Sequence, residues 1–385
     1  MEEKKKNPTL RWKIISGVLA VALITVSCFY AFGVGKPACT NATNAQSSVT
    51  ETVAATDAAK TNDALSLWTD SAPLKKQLTD FMKSITAEGS NDFIPVKDRI
   101  AVFDMDGTLC CETDPGYFDH KLLYYRVTED PDYKDKASAE EKAVCEKIKT
   151  YFETGEYPKG LDVEHGKAVA TAFKGMTPEE FDAYVKKYKE QPTIGYNNMK
   201  YGEAFYKPML QVVDYLQAND FKVYVVSGTD RLITRGLCDG VLDIPPNQMI
   251  GSDESFVATN QGDKDGLDYT FSKDDKVITG GEFIIKNLKM NKVTAIQREI
   301  GQQPVLCFGN SSGDAAMANF TITNNRYKSG AFLLCCDDLD RENGNLNKAE
   351  SMRQSCEENG WTAVSMKNDW TTIYGDGVQY TKKGD

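Results

Sequence analysis

The stretch Ala101-Val-Phe-Asp104-Met-Asp106-Gly107-Thr108-Leu109 sets two carboxylates two residues apart at the end of an apolar run. Ile100 to Phe103 are β-branched, small or aromatic, and Gly107 stops the run, so both acids belong at the C-terminal end of a strand. In open α/β sheets that end is where ligands bind. Side chains alternate along a strand, so Asp104 and Asp106 face one site only if the chain turns at Asp106, which Gly107 permits. Converged carboxylates repel each other, and a divalent cation that prefers oxygen ligands, such as Mg²⁺, relieves the repulsion. An EF-hand does not fit, because its loop glycine is in the sixth place and Gly107 is in the fourth, counted from Asp104.

Two more apolar runs end in polar groups. Phe221 to Val226 leads into Ser227-Gly228-Thr229-Asp230, and Pro304 to Phe308 leads into Gly309-Asn310-Ser-Ser-Gly-Asp314. Between them Lys289 and Lys292 open a helical pattern carrying Val293, Ile296 and Ile300. In this order the four stretches resemble motifs I, II, III and IV of the haloacid dehalogenase superfamily, over roughly residues 98–320. They are closest to the phosphoserine phosphatase-like branch, which includes phosphorylcholine phosphatases. Most members of the superfamily are Mg²⁺-dependent phosphohydrolases.

The resemblance implies roles. Asp104 attacks phosphorus and becomes an aspartyl-phosphate, and Asp106 protonates the leaving oxygen and later deprotonates the hydrolytic water. Ser227 donates a hydrogen bond to the phosphoryl group, with Gly228 and Thr229 beside it at the substrate. A motif III lysine pairs with phosphate and nucleophile. Lys289 is the first choice, since Val293 and Ile296 follow it on one helical face, and Lys292 is the alternate. Mg²⁺ falls to Asp104, the Asp106 backbone carbonyl, Asn310 and Asp314. Asn310 stands where relatives carry an acid, which removes one charge and leaves an amide oxygen that still ligates a hard cation. Glu112 lies one residue short of where phosphoserine phosphatases keep a glutamate for the substrate's ammonium. Tyr117, Phe118, Tyr124, Tyr125 and Tyr133 follow it, a cluster that suits either a quaternary ammonium group or the packing of a helical cap. His120 and His165, the chain's two histidines, read as structural.

The elements that must position these residues fit an α/β fold, a Rossmann-like parallel sheet with an inserted helical cap. The separation of Asp104 from Ser227 far exceeds what a βαβ crossover needs, and helical patterns at Glu140–Phe152 and Pro178–Tyr188 fill it. The cap is expected at 115–200, with the catalytic core at 65–114 and 201–385. Its hinges are expected at Thr113–Gly116 and Tyr196–Gly202, where glycine and proline interrupt the periodic segments. Helices are expected at Leu74 to Ile85 and Phe205 to Leu216, and a further strand at Ala331–Cys336.

Composition narrows the class. With 41% hydrophobic and 26% charged residues the chain is an ordinary globular sequence, and a net charge of −11 argues against a nucleic-acid partner. Ten cysteines without paired CxxC spacing read as packing residues, including the adjacent pairs Cys110-Cys111 and Cys335-Cys336. Lys4, Lys5, Lys6, Arg11 and Lys13 precede the charge-free run Ile14 to Gly35, which is long enough to cross a bilayer core of roughly 30 Å. The positive-inside rule then sets the bulk of the protein outside the cytoplasm, behind a signal peptide or membrane anchor at 1–35 and a flexible linker at 36–64. Thr25-Val-Ser-Cys28 resembles a loose lipobox, with Cys28 as the lipidated residue. The expected function is Mg²⁺-dependent hydrolysis of a small organic phosphomonoester. The competing reading is a surface-anchored binding protein that kept the fold and lost turnover.

Overall fold

The four residues of β1 (Ile100–Phe103) are all buried, and parallel strands flank them on both sides. The structure is a computed structural model that describes residues 64–381. The charge-free run, Cys28 and the linker up to residue 63 lie outside the described residues. Among the described residues no helix is long and apolar enough to cross a membrane.

The chain runs through α1 (Pro73–Thr86) to β1, then through α2 (Phe118–Thr128), α3 (Ala139–Thr154), α4 (Leu161–Ala172) and α5 (Pro178–Tyr188). A short β2 (Tyr196–Asn197) and α6 (Lys207–Gln217) lead to β3 (Lys222–Asp230) and α7 (Arg231–Cys238). Then come β4 (Met249–Ala258), β5 (Val277–Ile285), α8 (Met290–Glu299), β6 (Leu306–Gly309) and α9 (Ala315–Ile322). The rest is β7 (Gly330–Cys335), α10 (Leu346–Asn359), β8 (Thr362–Ser365), α11 (Met366–Asp369) and β9 (Gln379–Tyr380). The main sheet has the order β5-β4-β3-β1-β6-β7-β8. All its pairs are parallel except β4 with β5. Because β1, β3 and β6 are neighbours and parallel, the ends of the three motif-bearing strands meet on one edge. Phe103, Phe308 and Phe332 stack across β1, β6 and β7, with centroids 4.2 and 5.2 Å apart, and pack the sheet beneath that edge.

Residues 115–200 hold α2 to α5, and none of them joins the main sheet. Two of these helices start with reciprocal capping boxes, Ser138 with Glu141 on α3 and Thr177 with Glu180 on α5, and Pro178 opens α5 where its missing N–H costs nothing. This helical layer is fastened to the sheet side. Thr279 of β5 exchanges backbone hydrogen bonds with Gly175 and Met176, both at 2.9 Å. Lys189, just past α5, donates to the carbonyls of Gly236, Leu237 and Asp239 around the end of α7.

The stretches expected as hinges are tied to each other. Asp114 accepts the backbone N–H groups of Ile194 and Gly195. Glu342, fully buried, accepts hydroxyl hydrogen bonds from Thr113, Tyr196 and Tyr374. β2 pairs with β9 at the far end of the chain. The C-terminal segment, whose polar composition carries no clear pattern, thus closes over both linkers. The cysteines among the described residues are free, and all but Cys336 are buried, in agreement with a packing role.

Candidate active site

Asp104 follows β1 directly, and its N–H donates to Phe308 O at 2.9 Å, which fixes it between β1 and β6. The chain then turns. Gly107 adopts φ +77°, and a Cβ there would lie 2.0 Å from Asn310 Nδ2 and 2.6 Å from Glu112 Cδ, so only glycine lets the first and fourth motifs close on each other. Both acids are buried and line one cavity of about 280 Å³.

The lysine that reaches Asp104 is Lys292. Its Nζ lies 2.5 Å from Asp104 Oδ1 and 2.7 Å from Asp314 Oδ1, with the side chain fully buried. This corrects the first choice of Lys289. Helix α8 starts at Met290, so Lys289 is its N-cap, at φ 56°, and meets the site by donating its N–H to Gly313 O at 2.9 Å. Lys292 instead shares the buried face with Ala295 and Ile296 at helical spacing. Lys289 still lines the cavity. Burial opposes the charge on Lys292, but Asp104 and Asp314 more than offset that and raise its pKa.

Asp106 points the other way, its Oδ2 accepting from Thr229 Oγ1 at 2.8 Å. Ser227 is fully buried and its Oγ accepts the Thr229 N–H at 3.0 Å. Gly228 and Thr229 line the cavity and Ser227 does not, so the hydroxyl beside Asp106 is that of Thr229. Burial, then Asp119 and Asp104, push the Asp106 carboxyl up to about 8, the direction a proton donor near neutral pH requires. Asp104 is raised by burial and Asp314 and held back by Lys292.

Asp314 Oδ1 accepts from Lys292, while its Oδ2 accepts the N–H groups of Asn310 and Ser311 at 3.1 and 3.0 Å and the Ser311 hydroxyl. Its oxygens are engaged in shaping the loop and holding the lysine. Asn310 Oδ1 and Asp104 Oδ2 both face the Thr108 hydroxyl, at 3.3 and 3.4 Å. With Glu112 3.0 Å from Asn310 Nδ2, the donors gathered here are all oxygens, a set that fits Mg²⁺ or another hard cation. Asp104 and Asn310 would hold it. Asn310→Asp is expected to tighten Mg²⁺ binding on the order of tenfold by restoring a carboxylate. Titration of Mg²⁺ against activity checks this, and a weaker apparent affinity would remove Asn310 from the ligand set.

Glu112 is raised to about 8, first by burial and then by Asp104 and Asp106. In chelator the unfolded chain loses this proton near 4.5 and the folded chain near 8, so this group's contribution to stability is greatest below 4.5 and falls as pH rises through that window. Glu112→Gln is expected to flatten the fall, measured as Tm against pH. A slope unchanged in the variant would assign it to other groups.

The helical layer adds groups that sequence reasoning undervalued. Asp119, His120 and His165 form one buried cluster, and Asp119 Oδ2 lies 3.2 Å from Thr229 Oγ1. Asp119 and His120 line the cavity with Asp106, as do Tyr117 and Tyr157. Of the aromatic run, Phe118 is core and packs on Tyr188 and Tyr201. Tyr133 packs under Arg126, and Tyr125 on Tyr188. Tyr117 is the member that reaches the site. A second, larger hollow of about 680 Å³ adjoins the first and shares Glu112, Tyr117, Ser311 and Ser312 with it. Its far wall is the start of α10.

Sequence comparison assigns the class. Residues 101–319, more than half of the chain, match the haloacid dehalogenase-like hydrolases, and the chain belongs to that family. No curated protein matches it. Solved structures similar to it include a functionally unknown protein from Anaerococcus prevotii DSM 20548, at 14% identity over 75% of this chain and 91% of that one, with a TM-score of 0.47. Another is a phosphoserine phosphohydrolase-like protein from Francisella tularensis, at 14% identity over 61% and 87%, TM-score 0.32. A third is a probable phosphoserine phosphatase from Vibrio cholerae, at 12% identity over 71% and 62%, TM-score 0.35.

Proposed function

We propose that this chain is a Mg²⁺-dependent phosphatase that hydrolyses a small organic phosphomonoester through an aspartyl-phosphate. The observation that carries the reading is Lys292 held between Asp104 and Asp314 at the floor of a cavity whose wall carries Asp106 on Thr229. Asp104 attacks phosphorus as the bond to the leaving oxygen breaks, and Asp106 gives that oxygen its proton. Water then attacks the acyl phosphate, returns a proton to Asp106 and frees phosphate and Asp104. Lys292 faces the negative charge that builds on the phosphoryl oxygens. Mg²⁺, when bound, supplies further positive charge at the same oxygens. The two separate roles follow from two environments: a cation beside Asp104 and a neutralising burial around Asp106.

The test is release of free phosphate from a panel of phosphomonoesters, with and without chelator. Turnover that survives chelation would remove the metal from the reading, and silence across the panel would remove the activity.

Glu112 supports an amine-bearing substrate. It is a half-buried carboxylate that lines both cavities, and a substrate ammonium would offset the desolvation and the repulsion from Asp104 and Asp106 that raise its pKa. Glu112→Gln is expected to lower kcat/KM for amine-bearing phosphomonoesters by the equivalent of roughly 2–5 kcal/mol while sparing p-nitrophenyl phosphate. An equal loss on both would reassign Glu112 to the metal or the fold.

We place the catalytic part outside the cytoplasm, tethered to or released from the membrane by residues 1–35. The charge-free run behind a basic start supports this. Protease added to intact cells should digest the catalytic part, and full protection would overturn that location.

A further inference from the structure

The cluster on the cap holds a contradiction that a cation resolves. Asp119 and His120 lie in the first turn of α2 and His165 on α4, and all three are at most 2% exposed. His165 Nε2 lies 3.2 Å from the backbone carbonyl of Asp119. A carbonyl only accepts, so Nε2 carries the ring proton and Nδ1 is a bare lone pair. That Nδ1 has no hydrogen-bond partner and sits 3.7 Å from Asp119 Oδ2. A lone pair facing a carboxylate in a buried site is repulsive unless positive charge lies between them.

The second histidine faces the same carboxylate through a hydrogen bond, whose proton a bound cation would displace. His120 Nδ1 is 2.7 Å from Asp119 Oδ1, and its Nε2 is 3.3 Å from the Tyr157 hydroxyl. Each ring therefore turns Nδ1 toward one carboxylate and keeps its outer nitrogen on an oxygen partner, as metal-ligating histidines do. One ligand atom from each of the three residues lies within 4.8 Å of the others. The two rings are stacked 6° from parallel at 4.1 Å, so seating an ion requires one of them to tilt about χ2, a soft torsion for an imidazole.

We propose that Asp119, His120 and His165 bind a borderline divalent cation of the zinc class, at a site separate from the all-oxygen site around Asp104 and Asn310. Nitrogen donors set its preference apart from that of Mg²⁺. Three protein ligands leave a coordination position open, and Asp119 and His120 line the cavity that Asp106 shares, so that position is reachable by water or by a substrate oxygen. Lys286 lines the same cavity and opposes a cation, while the carboxylates of Asp106 and Asp119 favour one. The assignment is independent of the phosphatase reading, because it is tested by binding alone.

Full-length protein stripped with chelator and dialysed against Zn²⁺ in excess Mg²⁺ should retain one Zn²⁺ per chain. His165→Ala and His120→Ala should each lose stoichiometric Zn²⁺, Asp104→Asn should keep it, and Tyr157→Phe should weaken it about tenfold by removing an outer-shell partner. X-ray absorption on zinc-loaded wild type, which needs no variant to fold, should show two imidazole nitrogens and oxygen. No retained zinc in the wild type, equal retention in both histidine variants, or a shell of sulfur or of oxygen alone would each overturn the site.

Discussion

Asp104→Asn is expected to lower kcat for phosphomonoester hydrolysis by at least about 10⁴-fold, the scale seen when a covalent nucleophile is lost. The substitution keeps shape and still offers Lys292 an oxygen to accept its 2.5 Å hydrogen bond, so the loss is chemical and not one of folding. The charge removed is one that burial and Asp314 already oppose and that raises Asp106 and Glu112 in turn. Metal-free stability should therefore hold or rise. Phosphate release and Tm on the same preparation separate the two effects. Full turnover in Asp104→Asn would end the aspartyl-phosphate mechanism, and a large drop in Tm would recast Asp104 as a structural residue.

Lys292→Met should be the most destructive substitution at the site for the fold. It leaves Asp104 and Asp314 buried without their shared cation, and breaking such a pair costs about 3–5 kcal/mol. Loss of the same charge from the phosphoryl side should lower kcat about 10²–10³-fold beyond any loss of folded protein. Lys289→Ala is the control. That side chain lines the cavity from a helix N-cap, so KM should move more than kcat and Tm should hold. Denaturant melts and kcat for the two variants decide between the lysines. A stable, active Lys292→Met protein would return the role to Lys289.

The site-bearing strands were legible because β1, β3 and β6 carry short apolar runs that give way to Asp, Ser-Gly-Thr and Gly-Asn, and parallel neighbours bring those polar stretches together. Choosing between Lys289 and Lys292 was not possible from periodicity alone, since each has an apolar residue four positions on, and only the start of α8 at Met290 separates them. The same holds at β3. Which of Ser227 and Thr229 faces Asp106 depends on the irregular pairing of β3 with β4 between Val226 and Asp230. Asp119, His120 and His165 carry no local pattern, because their relation is made by packing α4 on α2. The antiparallel β4–β5 arm also went unread, its exposed residues masking the alternation of a strand pair.

The knot of hydroxyls around Glu342 bears on the order in which the protein is made. Thr113 and Glu342 are 229 residues apart, and the family match ends at residue 319, before the carboxylate that joins the two linkers. A ribosome delivers Asp104, Lys292 and the whole helical layer while Glu342, Tyr374 and β9 are still to come. The chain can thus lay down its sheet from β1 to β6 and yet leave the stretches at Thr113 and Tyr196 unfastened until Glu342, Tyr374 and β9 emerge.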